Sequence, residues 1–189
     1  MRILSLIAVV LFVSSLAAPA RAGMVEVCEQ EYDPDLRIGG CTAVIDAGQH
    51  SGWNLVVAYY NRGLAHHRLG DPARAIEDYD QALRLDPSYA PAHNNRGNAY
   101  GNLGDPARAI EDYDQALRLD PDNAVLYNNR GKAYDNLGEY RQAIQDFDQA
   151  LRIDPGSTVA DNNRAIALGH LYKSGETKPR RRHPTAGRQ

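Results

Sequence analysis

After position 22 the chain has no stretch apolar enough to span a bilayer, and lysine is almost missing: Lys132 is the only one before position 173. Cysteine is scarce too, with Cys28 and Cys41 the only two in 189 residues, and they are not in the close C-x-x-C spacing of a redox-active pair. No His-x-x-x-His pair is present to hold zinc, and the adjacent His66 and His67 would point about 100° apart on a helix, which prevents easy sharing of a metal. Neither a Gly-rich phosphate loop nor a nucleophile elbow appears. The aspartate pairs Asp78/Asp80, Asp112/Asp114 and Asp146/Asp148 lie in helical stretches without the glycine and distal glutamate of a calcium-binding hand, so they read as a solvated face. These absences leave no candidate catalytic residue, metal site or cofactor, and the chain reads as a non-enzyme.

What is present starts with a positive Met1-Arg2, an apolar run from Ile3 to Phe12 broken only by Ser5, and Ala20-Arg21-Ala22 as a small-x-small cleavage site. This is the layout of a secretory signal peptide over residues 1–22; an uncleaved membrane anchor is the alternative, although the run is short of the roughly 20 apolar residues a spanning helix needs. The expected location is periplasmic or secreted, with a mature chain beginning at Gly23. The formal net charge is −3. Losing Arg2 and Arg21 takes it to −5, and setting aside the tail 173–189, with six basic residues and one acid, leaves −10 on the body. An acidic body excludes nucleic acid as a partner, because phosphate neutralisation needs clustered Lys and Arg. In an oxidising compartment Cys28 and Cys41 are expected to form one disulfide, whose loop would contribute about 3 kcal/mol in the chain-entropy picture.

Internal repetition dominates the rest. Y-N-R-G at Tyr60–Gly63, N-N-R-G at Asn94–Gly97 and N-N-R-G at Asn128–Gly131 stand 34 residues apart, and N-N-R-A ends at Ala165. The block D-P-A-R-A-I-E-D-Y-D-Q-A-L-R-L-D-P occurs identically at Asp71–Pro87 and Asp105–Pro121, with a looser copy at Glu139–Pro155. A fixed period of this length marks a stacked array in which each unit buries its apolar face against its neighbours.

Each unit reads as two helices. The first is predicted from about Val56 to Leu69, with equivalents beginning near Ala90 and Ala124. Gly70, Gly104 and Gly138 stand where a left-handed residue ends a helix. Asp71-Pro72 and Asp105-Pro106 then read as an N-cap followed by proline in the first turn. Ala75, Ile76, Tyr79, Ala82 and Leu83 form one apolar stripe, and Asp86-Pro87 ends the second helix. Upstream, Asp33–Asp46 has the same rhythm: Pro34 matches Pro72, Ile38 matches Ile76, Cys41 matches Tyr79 and Ile45 matches Leu83. It reads as a degenerate half-repeat in which the disulfide pins Gly23–Tyr32 in place of a first helix. Gln49–Leu55 is then a connecting loop with Trp53 packed under it.

This pattern resembles the tetratricopeptide repeat. The small residues of that family correspond to Gly63, Ala75 and Ala82, with Gly97, Ala109 and Ala116, and Gly131, Ala143 and Ala150, as counterparts. Its aromatic slot is Tyr79, Tyr113 and Phe147, and its terminal proline is Pro87, Pro121 and Pro155. The resemblance implies an all-α, right-handed α-α superhelix of three complete repeats (56–89, 90–123, 124–157). A degenerate half-repeat and loop (23–55) precede them; a capping helix (158–172) and a disordered basic tail (173–189) follow. Arg62, Arg96, Arg130 and Arg164 depart from the family's usual leucine, and they are expected to pair with second-helix acids such as Asp78 or Asp112. C-x12-C followed by these repeats also looks like a group of exported bacterial tetratricopeptide proteins.

In that family the first helices line a concave groove that receives a peptide, which implies a binding face of Tyr60, Leu64 and His67; Asn94, Asn98 and Gly101; and Asn128, Lys132 and Asp135. Asparagine is a mediocre helix former, so the Asn ladder calls for a reason. Asn61, Asn95, Asn129 and Asn163, identical in every repeat, read better as serving neighbouring helices; the varying positions beside them read better as the groove. One lysine, Lys132, is too little for a clamp on a peptide C-terminus. The function implied is an interaction module holding another protein. The alternatives are a structural protein that self-associates into homo-oligomers through its end faces, or an accessory subunit of an envelope enzyme. Arg180-Arg181-Arg182 either touch an anionic membrane surface or merely solubilise the end.

Overall fold

An apolar stripe at three- and four-residue spacing has to be buried against another element, and the computed structural model places a helix under each stripe. It describes residues 26–29, 33–47 and 53–175. A helical turn at 26–29 precedes α1 (Pro34–Asp46), α2 (Trp53–Arg68), α3 (Pro72–Leu85), α4 (Ala90–Asn102), α5 (Pro106–Leu119), α6 (Ala124–Leu137), α7 (Tyr140–Ile153) and α8 (Thr158–Ser174). Among the described residues there is no strand. The helices fall into two compact units, α1–α5 and α6–α8.

In the first unit each helix packs on the next. The identical sequences of α3 and α5 start alike: Asp71 accepts a hydrogen bond from the Arg74 N–H (3.1 Å) and Asp105 from that of Arg108 (3.0 Å), which satisfies one of the donors a helix start leaves open. Both bury the same set, Ala75, Asp78, Tyr79, Ala82 and Leu83 in α3 and the matching residues of α5. The first helices end at Gly70 and Gly104, with φ of 78° and 76°. There the Asp71 N–H returns to the His66 carbonyl and the Asp105 N–H to that of Tyr100, both at 2.9 Å, closing the last turn. At the N-terminal end Cys28 is disulfide-bonded to Cys41 with Cα atoms 4.6 Å apart, and both are buried with Val44 against Ala58 of α2.

In the second unit α6 packs on α7, α7 on α8, and α8 also reaches α6. Asn123 caps α6 through the Val125 and Leu126 N–H groups, and Ser157 caps α8 through that of Ala160. Phe147 is fully buried between α6 and α8, with Ala143 and Ala167.

Three sequence expectations change at their edges. The loop assigned to Gln49–Leu55 is shorter, because α2 already starts at Trp53: Trp53, Asn54 and Leu55 include neither glycine nor proline to stop the helix. The first helix ends at Arg68, one residue short of Leu69. The capping helix runs past 172 to Ser174, where Gly175 at φ 79° ends it. The signal-peptide layout, the packing of Trp53 and the tail beyond position 175 lie outside the described residues.

Candidate functional site

The arginines that follow Asn61, Asn95 and Asn129 organise both units. Arg62 meets Asp78 at 2.7 Å, Arg96 meets Asp112 at 2.6 Å, and Arg130 meets Asp146 at 2.7 Å. Two parallel N–H···O bonds form to Asp112 and to Asp146, the fork geometry that favours arginine over lysine. Arg96 also reaches back to Asp80 of the preceding second helix (2.5 Å), so in the Asp78/Asp80 pair the first aspartate serves its own repeat and the second serves the next. Arg62 has no such aspartate behind it; Thr42 takes the place, its Oγ 3.1 Å from the Arg62 Nη1. Since Cys41 matches Tyr79, Thr42 stands where Asp80 does. Burial alone would push the Arg96 guanidinium down, but its bonds to Asp112 and Asp80 outweigh this and hold it above its ordinary value. The aspartate pairs, read from sequence as a solvated face, are thus divided: Asp78, Asp112 and Asp146 are buried.

On the first-helix faces of the first unit, the Asn95 amide donates to the Tyr60 oxygen at 2.9 Å. The Tyr113 hydroxyl donates to Asn98 Oδ1 at 2.7 Å, and longer contacts tie Asn94 and Asn98 to Asn95 (3.5 and 3.4 Å). The Tyr60 ring stands edge-on to Tyr89 at 5.1 Å. Burial first, then the neighbouring Tyr89, pushes the Tyr60 hydroxyl up. His67 takes the Asn102 amide on Nε2 at 2.7 Å, and burial pushes its imidazole down. Tyr60, Asn94 and Asn98 are therefore brought together through Asn95, His67 lies beside Asn102, Leu64 is half-buried and Gly101 is exposed.

In the second unit the Asn163 amide donates to Asn128 Oδ1 at 2.9 Å. The Asp135 carboxylate faces His170 Nδ1 at 2.9 and 3.0 Å, with the Tyr140 ring 5.4 Å from that imidazole. Lys132 is exposed on the same helix. Sequence reasoning missed Asn102 and His170 because it compared residues one period apart, and Thr42 because it looked for acids opposite the arginines. The pairs that touch, Tyr60–Asn95, His67–Asn102, Asn128–Asn163 and Asp135–His170, are 35 apart.

Two consequences can be measured. Asn98 satisfies Tyr113, but in the preceding repeat Leu64 stands at the matching position and the Tyr79 hydroxyl is buried without a partner. Tyr113→Phe should then lower stability by about 1 kcal/mol, and Tyr79→Phe should leave it unchanged or raise it, as read by urea denaturation. Equal losses at both sites would contradict the pairing. The second concerns pH. A base whose folded pKa is lowered loses stability as pH falls from its unfolded value, about 6.5, through the folded one. Between pH 7.5 and 5.5 the wild-type denaturation midpoint should fall further than that of His67→Gln; parallel curves would exclude a part for His67.

Among the described residues no group of three or more His, Cys, Asp and Glu is placed to hold a metal ion, and no helix is long and apolar enough to cross a membrane. A cleft between α4 and α5 is lined by Arg96, Tyr100, Arg108, Glu111, Asp112 and Gln115. Its two arginines are already paired, Arg96 with Asp112 and Arg108 with Asp105, and it brings no nucleophile to a base.

The tetratricopeptide repeat model matches residues 56–89, 90–123 and 124–157. No curated protein matches the chain. Among solved structures, the second such domain of human RPAP3 in complex with the HSP70 peptide SGPTIEEVD is 29% identical, with a TM-score of 0.58 over 60% of this chain and 94% of that one. The Arabidopsis OM64 domain is 26% identical, with a TM-score of 0.59 over 61% and 96%. The MamA protein, at 24% identity and a TM-score of 0.67 over 84% and 90%, shares the fold. The chain is thus an all-helical run of three consecutive repeats followed by a C-terminal helix.

Proposed function

Because the chain belongs to the tetratricopeptide repeat family, we propose that it is a non-catalytic interaction module of the bacterial cell envelope, holding an extended segment or helix of another protein against its first helices. The observation that carries this reading is the set of side-chain amides, hydroxyls and carboxylates held in place along those helices by bonds such as Asn95–Tyr60, Asn98–Tyr113, Asn163–Asn128 and His170–Asp135. Groups already ordered lose little entropy when a ligand arrives. Relatives of the same fold carry peptides in their structures, SGPTIEEVD in one RPAP3 domain and SRMEEVD in a Spaghetti (RPAP3) domain. Both are acidic, whereas Lys132 is the only lysine that this chain offers before position 173. Its ligand is accordingly held by backbone-directed hydrogen bonds and shape, with Lys132 taking at most one carboxylate.

The envelope location rests on the signal-peptide layout of Met1 to Ala22, with cleavage after Ala22, and is supported by the Cys28–Cys41 disulfide, a bond of oxidising compartments. The deciding experiment is affinity capture from envelope extract with wild type beside the triple variant Asn94→Ala, Asn128→Ala, Lys132→Ala, both first shown to have equal helicity and melting temperature. A specific polypeptide retained by wild type and lost by the variant supports the first-helix face. The same proteins captured by both would remove it.

A further inference from the structure

The Tyr79 ring is completely buried in the first unit, packed with Ala99 of α4 and 6.0 Å from the Tyr60 ring of α2. Its edge lies so close to Gly63 that a Cβ there would stand 2.8 Å from a ring carbon, which holds it beneath the face carrying Tyr60 and Leu64. The next repeat shows how such a ring is completed. There the Tyr113 hydroxyl donates to Asn98 Oδ1 at 2.7 Å, and the Asn98 amide reaches Asn95 Oδ1 at 3.4 Å. One carboxamide thus serves the hydroxyl below it and the asparagine one turn before it. In the first repeat the hydroxyl and the asparagine are present but the carboxamide is not. Leu64 stands at the Asn98 position, and the Tyr79 hydroxyl is buried without a hydrogen bond. Asn61, half-buried and matching Asn95, has no hydrogen-bond partner among the described residues. A buried hydroxyl left unbonded costs stability that phenylalanine would not, and Phe147 of the third repeat shows that the fold accepts phenylalanine in this place.

We propose that the Tyr79 hydroxyl and Asn61 receive a carboxamide side chain, asparagine or glutamine, from the segment bound on the first-helix face. The incoming oxygen accepts from the Tyr79 hydroxyl and the incoming amide donates to Asn61 Oδ1, as Asn98 does for Tyr113 and Asn95. Leucine has nearly the outline of asparagine, with methyls in place of the oxygen and the nitrogen. Leu64 therefore fills the place without making its bonds, and, being half-buried, turns to another staggered rotamer to admit the guest. An aliphatic guest would only repeat what Leu64 already supplies. A carboxylate is poorer than a carboxamide, because a charge buried without a cation is costly. This assignment rests on the reading of the first-helix face as the binding face, and names a side chain that the face selects.

The test screens the full chain against a positional-scanning library of octapeptides and measures the strongest peptide by fluorescence anisotropy. Retained peptides should carry asparagine or glutamine at one position, and exchanging that residue for leucine or glutamate should weaken binding about tenfold. Leu64→Asn closes the site with the chain's own carboxamide, and Tyr79→Phe removes the hydroxyl. Each should weaken the carboxamide peptide about tenfold and leave its leucine version unchanged, so that the protein and peptide changes are not additive. Both variants should keep or raise the wild-type melting temperature, which separates the loss of binding from a loss of fold. Peptides retained without a carboxamide preference, or a preference that survives both variants, overturn the proposal while leaving the first-helix face standing. If no peptide is retained up to millimolar concentration, both readings fall. A lowered melting temperature for Tyr79→Phe also overturns it, because the hydroxyl would then be bonded within the chain.

Discussion

Arg96→Leu should lower stability by about 3–5 kcal/mol, because it removes the guanidinium but leaves the Asp112 carboxylate, with 4% of its side chain exposed, to be ionised in the interior. His93 Nδ1, 3.1 Å from the same carboxylate, is the nearest group able to offset part of this. The control is the double variant Arg96→Leu, Asp112→Leu, in which neither charge is buried. Much of the loss should return there, since the cost lies in the stranded carboxylate more than in the missing bond. Guanidinium denaturation of the two variants beside wild type decides it. If the double variant is as unstable as the single one, the arginine acts through its packing over the neighbouring helices and the clamp is incidental.

The next largest effect is expected at Gly131, where the sign alone is informative. Exchanging glycine for alanine inside a helix ordinarily gains about 1 kcal/mol. Here the new Cβ would stand 2.7 Å from Phe147 Cε1 and 3.0 Å from two further ring carbons of a residue that is 1% exposed. The ring cannot yield without disturbing Ala143 and Ala167. Gly131→Ala should therefore cost about 2 kcal/mol and Gly131→Val about 3, as overpacking does. Thermal melts would show both variants below wild type. A Gly131→Ala protein that melts higher would mean that α6 and α7 can part more readily than their packing implies.

The sequence was most legible where one residue type admits one local solution. The left-handed glycines at 70, 104 and 138 and the aspartate caps before Pro72 and Pro106 were readable because few other residues serve in those places. The stripe of Ala75, Tyr79, Ala82 and Leu83 was readable because burial repeats with the helical turn. The arginine–aspartate pairing was readable in kind, although not its double reach, since the second partner lies in another repeat. The candidate face was legible only in part. Aligning the repeats matches like with like, so Tyr60 is compared with Asn94, whereas packed helices interleave their side chains and Tyr60 meets Asn95. The exchange at Leu64, which leaves the Tyr79 hydroxyl without a partner, has no sequence signal, because it depends on which second-helix side chain ends beside position 64.

The clamp around Arg96 reaches sixteen residues back to Asp80 and sixteen forward to Asp112. Both distances lie inside one 34-residue period, so the rule for joining neighbours is carried whole by every copy of the sequence. A duplicated copy of 90–123 would bring its own arginine, its own forward aspartate and the backward aspartate for whatever follows. Gene duplication could thus lengthen this protein in frame without any compensating change at the joints, and the identical blocks at Asp71–Pro87 and Asp105–Pro121 have the form that such a history would leave.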